Sequence, residues 1–213
     1  MSPKGYGIEA GVPGPIIPNG RVGFWLFLGT EAMLFSGFLA SFIAARSTLD
    51  VNWPAPTTLI PSDGASLMKP TIGWINTALL VTTNFLVAFA SRRLHAGAPG
   101  LAWKASAFAI LLASAFVGVK FWEYYGKIQH HLLPATANEV ISNGRVWATY
   151  YFGLTGLHAL HVLVGILLLW WIVFRGVAQR LGERQVVLLQ NISSYWYLVD
   201  GVWLIIFPLL YLF

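Results

Sequence analysis

An all-α membrane protein, a bundle of five transmembrane helices, is the fold class this sequence predicts. The first observation is composition. Of 213 residues 57% are hydrophobic and only 10% charged, with a mean hydropathy of +0.67. A soluble domain carries about a quarter charged residues. The second is segmentation: five stretches each supply the roughly 20 mostly apolar residues that cross a hydrocarbon core, and none alternates as a barrel strand does. The third is tryptophan placement. Trp25, Trp74, Trp103, Trp122, Trp147, Trp170, Trp171 and Trp196 mostly fall near stretch ends, where an amphipathic ring prefers the headgroup level. This profile excludes a soluble enzyme, a disordered tail and a nucleic-acid partner, despite a net charge of +5. The absence of cysteine removes disulfides, thiolate metal sites and thiol nucleophiles together.

Taken in order, residues 1–21 read as an N-terminal surface strap, because Pro13, Pro15 and Pro18 forbid a helix and no signal-peptide pattern precedes them. Residues 22–213 read as one transmembrane domain, with spans at about 22–45, 70–91, 101–121, 146–174 and 187–213. The segment 46–69, with Pro54, Pro56 and Pro61, is an irregular cap on one membrane face. The short link 92–100 makes the second and third spans an antiparallel hairpin, and 126–145 is the other sizeable loop. Lys4, Arg21, Arg92, Arg93, Lys104, Arg175, Arg180 and Arg184 gather on the N-terminal face, against Arg46, Lys69, Lys120, Lys127 and Arg145 opposite. The excess predicts a cytoplasmic N-terminus and an outside C-terminus.

Ionisable groups well inside the spans, away from their ends, reduce to Glu31, His158, His161 and Asp200. An acid at a helix centre costs about 2.5–3.5 kcal/mol on an insertion scale, so each must face protein or a hydrated site. His158 and His161 lie three apart and share a face, which Gly165 continues. For each group two readings stand: a hydrogen-bonded packing residue, or a proton, lipid or metal site. Two histidines on one face of one helix cannot supply both axial ligands of a haem. His158, His161, Glu31 and Asp200 together are a chemically plausible divalent-metal set, though without the Glu-x-x-His repeats of di-iron bundles.

Small residues recur at three and four along span one (Gly29, Ala32, Ser36, Ala40, Ala44) and span three (Ala105, Ala109, Ala113). Such stripes allow close helix approach. In span two, Asn76 with Thr83 and Thr77 with Asn84 form a polar ridge; in span five, Trp196, Asp200, Trp203 and Phe207 share one face. These ridges fit contact with a second membrane subunit and internal cross-linking equally well.

Five motifs then stand in order along the five spans. They are Gly29-Thr30-Glu31-Ala32-Met33-Leu34-Phe35, Gly73-x-x-Asn76-Thr77, Phe121-Trp122-Glu123-Tyr124, Gly156-Leu157-His158-Ala159-Leu160-His161-Val162, and Trp196-Tyr197-Leu198-Val199-Asp200-x-x-Trp203. Together they resemble subunit III of haem-copper oxidases over residues 20–213. The resemblance implies a short, five-span form of a non-catalytic core subunit in a respiratory, proton-pumping oxygen reductase, cytochrome c oxidase above all. It implies no haem or copper in this chain, those belonging to partner subunits, and bound phospholipid as its expected ligand. The implied partners are subunit I, the remaining oxidase subunits and membrane lipids, in a multi-pass location in a bacterial cell (inner) membrane. Glu31 corresponds to the family's carbodiimide-reactive acid. Common family members have seven spans, so this chain lacks the pair that walls a lipid cleft. Tyr197 stands where the closing motif usually has histidine.

The expected role is therefore structural and proton-linked, carried by Glu31, His158, His161, Asp200, Asn76 and Glu123, with His158 or His161 as partner of Glu31. Arg92, Arg93, Arg175 and Arg184 are the expected contacts to anionic headgroups. The alternatives are a quinol oxidase subunit III, a nitric-oxide reductase accessory protein, a small metal or proton transporter, and a membrane scaffold.

Overall fold

In hydrocarbon every backbone N–H and C=O must be paired within the chain, so apolar stretches of this length close as helices. The computed structural model describes residues 19–49, 53–61, 64 and 66–212, with the side chains of 19–21 left aside. The strap predicted over residues 1–21 falls outside it as far as Pro18. Five helices follow: α1 (Asn19–Leu49), α2 (Pro70–His95), α3 (Pro99–Gln129), α4 (Gly144–Val177) and α5 (Glu183–Tyr211). All five are long and apolar enough to cross a membrane. At 1.5 Å per residue the shortest, α2, spans about 39 Å, longer than the roughly 30 Å hydrocarbon thickness.

Local signals set several boundaries. Pro70 and Pro99 open α2 and α3, where a missing N–H leaves no helical bond unmade. Gly97, at φ 75°, supplies the left-handed residue that turns α2 into α3. The segment 53–69 folds back on itself through Leu67 N–H to Thr58 O and Met68 N–H to Pro56 O. It buries Ile60, Leu67 and Met68 against the bundle.

Helices α2, α3, α4 and α5 close a ring in that order, with α2 also against α5. Phe116, Leu80, Trp196 and Trp203 fill its core. Arg46 near the end of α1 reaches Leu209 near the end of α5, so these helices run parallel. Gly73 at the start of α2 faces Tyr211 at the end of α5, so those two run antiparallel. The C-terminal ends of α1, α3 and α5 thus gather with the N-terminal ends of α2 and α4, under the 53–69 segment. Helix α1 stands outside the ring against α4 and α5. Its small-residue stripe is not its packing face: Gly29, Ser36, Ala40 and Ala44 are exposed. On α3, by contrast, Ala109 and Ala113 are fully buried.

Helix α3 runs eight residues past the apolar stretch that predicted it, reaching Gln129. Glu123 and Lys127 therefore lie in the helix rather than in a loop, and with Lys120 they point into the bundle, all three buried. The face they continue is that of Ala109, Ala113 and Phe116, at helical spacing.

Helices α3 and α4 come close where Gly176 meets the Cβ of Trp103. A Cβ here would collide with an atom fixed to the backbone, which no rotamer change relieves. Gly176→Leu is expected to destabilise the chain by about 1–3 kcal/mol. Gly29→Ala, with open space at its Cβ position, should change it little. Reversible unfolding in mixed micelles measures both, and equal stability of the two variants would contradict the packing described.

Candidate functional site

Three sets of polar side chains join helices inside the bundle. The first ties α1 to α4. Glu31 Oε2 lies 2.9 Å from His161 Nε2, both near mid-helix. His161 Nδ1 lies 2.8 Å from the carbonyl of Leu157, which can only accept, so Nδ1 carries a hydrogen. One proton then remains between Nε2 and Oε2, whether as acid and imidazole or as carboxylate and imidazolium. Phe35 packs edge-on to the His161 ring at 4.9 Å, and Tyr195 from α5 donates to the His161 carbonyl at 2.9 Å. Towards the end of α1, Ser41 hydrogen-bonds Tyr150 at 2.7 Å and Arg46 donates to Leu209 O at 3.2 Å.

The second set lies within the ring. Asn84 donates to Asp200 Oδ2 at 3.1 Å, and Trp203 Nε1 donates to Thr77 Oγ1 at 3.0 Å. The polar ridge of α2 thus cross-links this chain to its own α5. His158 is enclosed between Phe116, at 5.6 Å, and Trp203, at 5.1 Å. Its ring nitrogens, and both side-chain polar atoms of Asn76, meet no hydrogen-bond partner among the described residues. Gly165, one turn beyond His161, admits the ring of Trp196.

The third set closes the end of the ring under the 53–69 segment. Lys120 Nζ donates to Glu123 Oε2 at 2.9 Å and to Tyr211 OH at 2.8 Å, and the Tyr211 hydroxyl donates to Glu123 at 2.7 Å. The side chains of Lys120 and Glu123 are 1% and 6% exposed, so this is an ion pair inside protein. Four rings, of Tyr124, Tyr151, Trp203 and Tyr211, stand with centroids 5.1–5.6 Å from the ammonium. Such distances suit cation–π attraction. Lys127 donates to the carbonyl of Leu67 and so clips the loop onto α3.

The predicted midplane residues are not gathered into one site. Glu31 pairs with His161, Asp200 with Asn84, and His158 stands apart. Among the described residues no three His, Asp or Glu converge as a metal would require.

Comparison with known proteins supplies the family. A profile described as "Cytochrome c oxidase subunit III" matches residues 12–213. The chain belongs to that family. It is 32% identical to cytochrome c oxidase subunit 3 of Triticum aestivum, over 90% of this chain and 67% of the wheat protein. It is 29% identical to cytochrome c oxidase subunit 3 of Bacillus subtilis, over 91% of this chain and 86% of that one. It is also 29% identical to cytochrome bo(3) ubiquinol oxidase subunit 3 of Pseudomonas aeruginosa, over 91% and 85% of the two chains.

As a member of that family the protein is an integral membrane subunit. Arg92, Arg93 and Arg184 are exposed at one end of its bundle, with Arg175 half-buried there and 6.0 Å from the Trp171 ring. Sequence reasoning missed Lys120, Tyr151, Tyr195 and Tyr211. The i, i+3, i+7 spacing of Lys120, Glu123 and Lys127 was the available signal for the first. The tyrosines carried none, since an aromatic at a span end reads equally well as an interfacial anchor.

Removing Lys120 would leave the buried Glu123 carboxylate without its charged partner, a loss of about 3–5 kcal/mol for a buried pair. Lys120→Met is expected to destabilise the chain by that order, and Lys120→Met with Glu123→Gln to recover most of it. Unfolding in mixed micelles checks this; equal stability of the single and double variants would contradict the ion pair.

Proposed function

We propose that this chain is the non-catalytic subunit III of a haem-copper oxygen reductase, packed on subunit I and holding it in a durable, proton-supplied state. The family match across residues 12–213 carries the reading. In it the chain binds no haem or copper and makes no bonds. Its work is mechanical: a rigid ring of four helices presents α1 sideways to the partner. What supports this is the construction of α1. One flank is tied to α4 and α5 by polar contacts, while Trp25, Leu26, Met33 and Leu34 on the other are exposed. The small-residue stripe on α1 is open as well, and would let a neighbouring helix approach closely.

In this reading the N-terminal face is cytoplasmic. With Lys120 and Lys127 drawn into the bundle, the opposite face keeps only Arg46, Lys69 and Arg145 as candidate orienting charges, which strengthens the expected asymmetry. Arg92, Arg93, Arg175 and Arg184 would then hold anionic headgroups of the cytoplasmic leaflet. The electron donor is set on other subunits. Relatives named for cytochrome c and for ubiquinol stand at the same 29% identity, so quinol oxidase subunit III is the second reading.

Glu31→Gln, which keeps a hydrogen-bonding group opposite His161, should preserve copurification with subunit I and the number of turnovers before inactivation. Glu31→Leu should weaken both. Gentle detergent extraction followed by subunit analysis and a turnover-lifetime assay reads the two outcomes. Unchanged retention and lifetime in Glu31→Leu would contradict the role given to α1.

A further inference from the structure

The Lys120–Glu123 pair is buried, but it is not sealed. Beneath the 53–69 segment lies a cavity of about 150 Å³ whose wall includes Ser66, Lys69, Glu123, Gly126, Lys127 and His130. A single water needs only about 10–15 Å³ of such space and two to four polar partners, and this cavity offers both. Glu123 belongs to the cavity wall and to the aromatic-lined cage at once. Its Oε2 receives Lys120 and Tyr211, while among the described residues Oε1 is met by Tyr211 alone, at 2.9 Å. A carboxylate has about four acceptor positions, so Oε1 keeps capacity for a donor from the cavity side.

We propose that this cavity is an aqueous inlet and that Glu123, held by Lys120, is a proton-exchange site open to the water on the side of the membrane carrying the 53–69 segment. A bulk acid gives its proton through cavity water to Glu123 Oε1. The carboxylate becomes a carboxylic acid, the ammonium of Lys120 keeps its own proton and its bond to Tyr211, and the step reverses when bulk base takes the proton back. The groups that govern this equilibrium come from every element around it. They are Lys120, Tyr124 and Lys127 on α3, Tyr151 on α4, Tyr211 on α5, Lys69 before α2, and His130 after α3. The site is separate from the Glu31–His161 pair, which lies near mid-helix on the α1 flank, and it does not depend on the subunit reading above.

Infrared spectroscopy of the assembled complex, reconstituted in vesicles, tests the proposal. In Lys120→Gln the ammonium is gone while hydrogen-bond donors remain, so a carboxylic C=O band is expected that disappears when Glu123→Gln is added. On mixing with deuterated water that band should shift promptly. Gly126→Leu fills the cavity from a position with open space at its Cβ, and should slow the shift severalfold. Should Lys120→Gln not assemble, the wild-type carboxylate stretch, assigned by its loss in Glu123→Gln, is followed during acidification of the bulk and must respond. A missing band, a band or stretch indifferent to the bulk, or a response equally fast with Gly126→Leu would overturn the inlet.

Discussion

An ammonium and a carboxylate cannot rest in hydrocarbon unless other groups take the place of water, and that constraint organises this structure. Lys120 and Glu123 lie one helical turn apart on α3, and each alone would be strongly disfavoured there. Together, with Tyr211 donating to the carboxylate and four aromatic rings around the ammonium, they fix the relative positions of α3, α4 and α5. Apolar packing in a bilayer has little solvent drive behind it, because lipid tails are as apolar as leucine. Directional polar contacts therefore specify which helix faces which, while close approaches such as Gly176 on Trp103 determine how tightly they meet.

The same logic separates α1 from the other four helices. The ring is cross-linked through its interior by Asn84–Asp200, Thr77–Trp203 and the Lys120 cluster. Helix α1 has three contacts of this kind, at Glu31, Ser41 and Arg46, spaced along its length like rungs. A helix attached by rungs keeps its remaining faces available.

Much of this was legible in the residues. Membrane spans follow from runs of apolar side chains whose length matches the bilayer, and five such runs became five helices. The unusual groups were legible because they are expensive: Glu31, His158, His161 and Asp200 stand out against their surroundings, and two of them pair. What could not be read is who meets whom, since partner choice depends on helix rotation and ring order. His161 rather than His158 faces Glu31, because His158 points into the ring between Phe116 and Trp203. The end of span three was misplaced for a related reason. Charge in a sequence signals water, and Lys120, within the predicted span, counts as a charge on the membrane face until Glu123, Tyr151 and Tyr211 are seen around it. A small-residue stripe is equally silent about its partner. That of α3 packs within the ring, and that of α1 stays open.

Polar pairing across helices is an energetic link rather than a coincidence of placement, and a double-mutant cycle on Glu31 and His161 measures that link directly. Glu31→Leu, His161→Phe and the combined variant would be unfolded reversibly in mixed micelles beside the unaltered chain. A coupling energy of about 1–3 kcal/mol, with the double variant less destabilised than the sum of the singles, is the predicted result. Additivity within about 0.5 kcal/mol would contradict it, and would mean that α1 is held by something other than the proton it shares with α4.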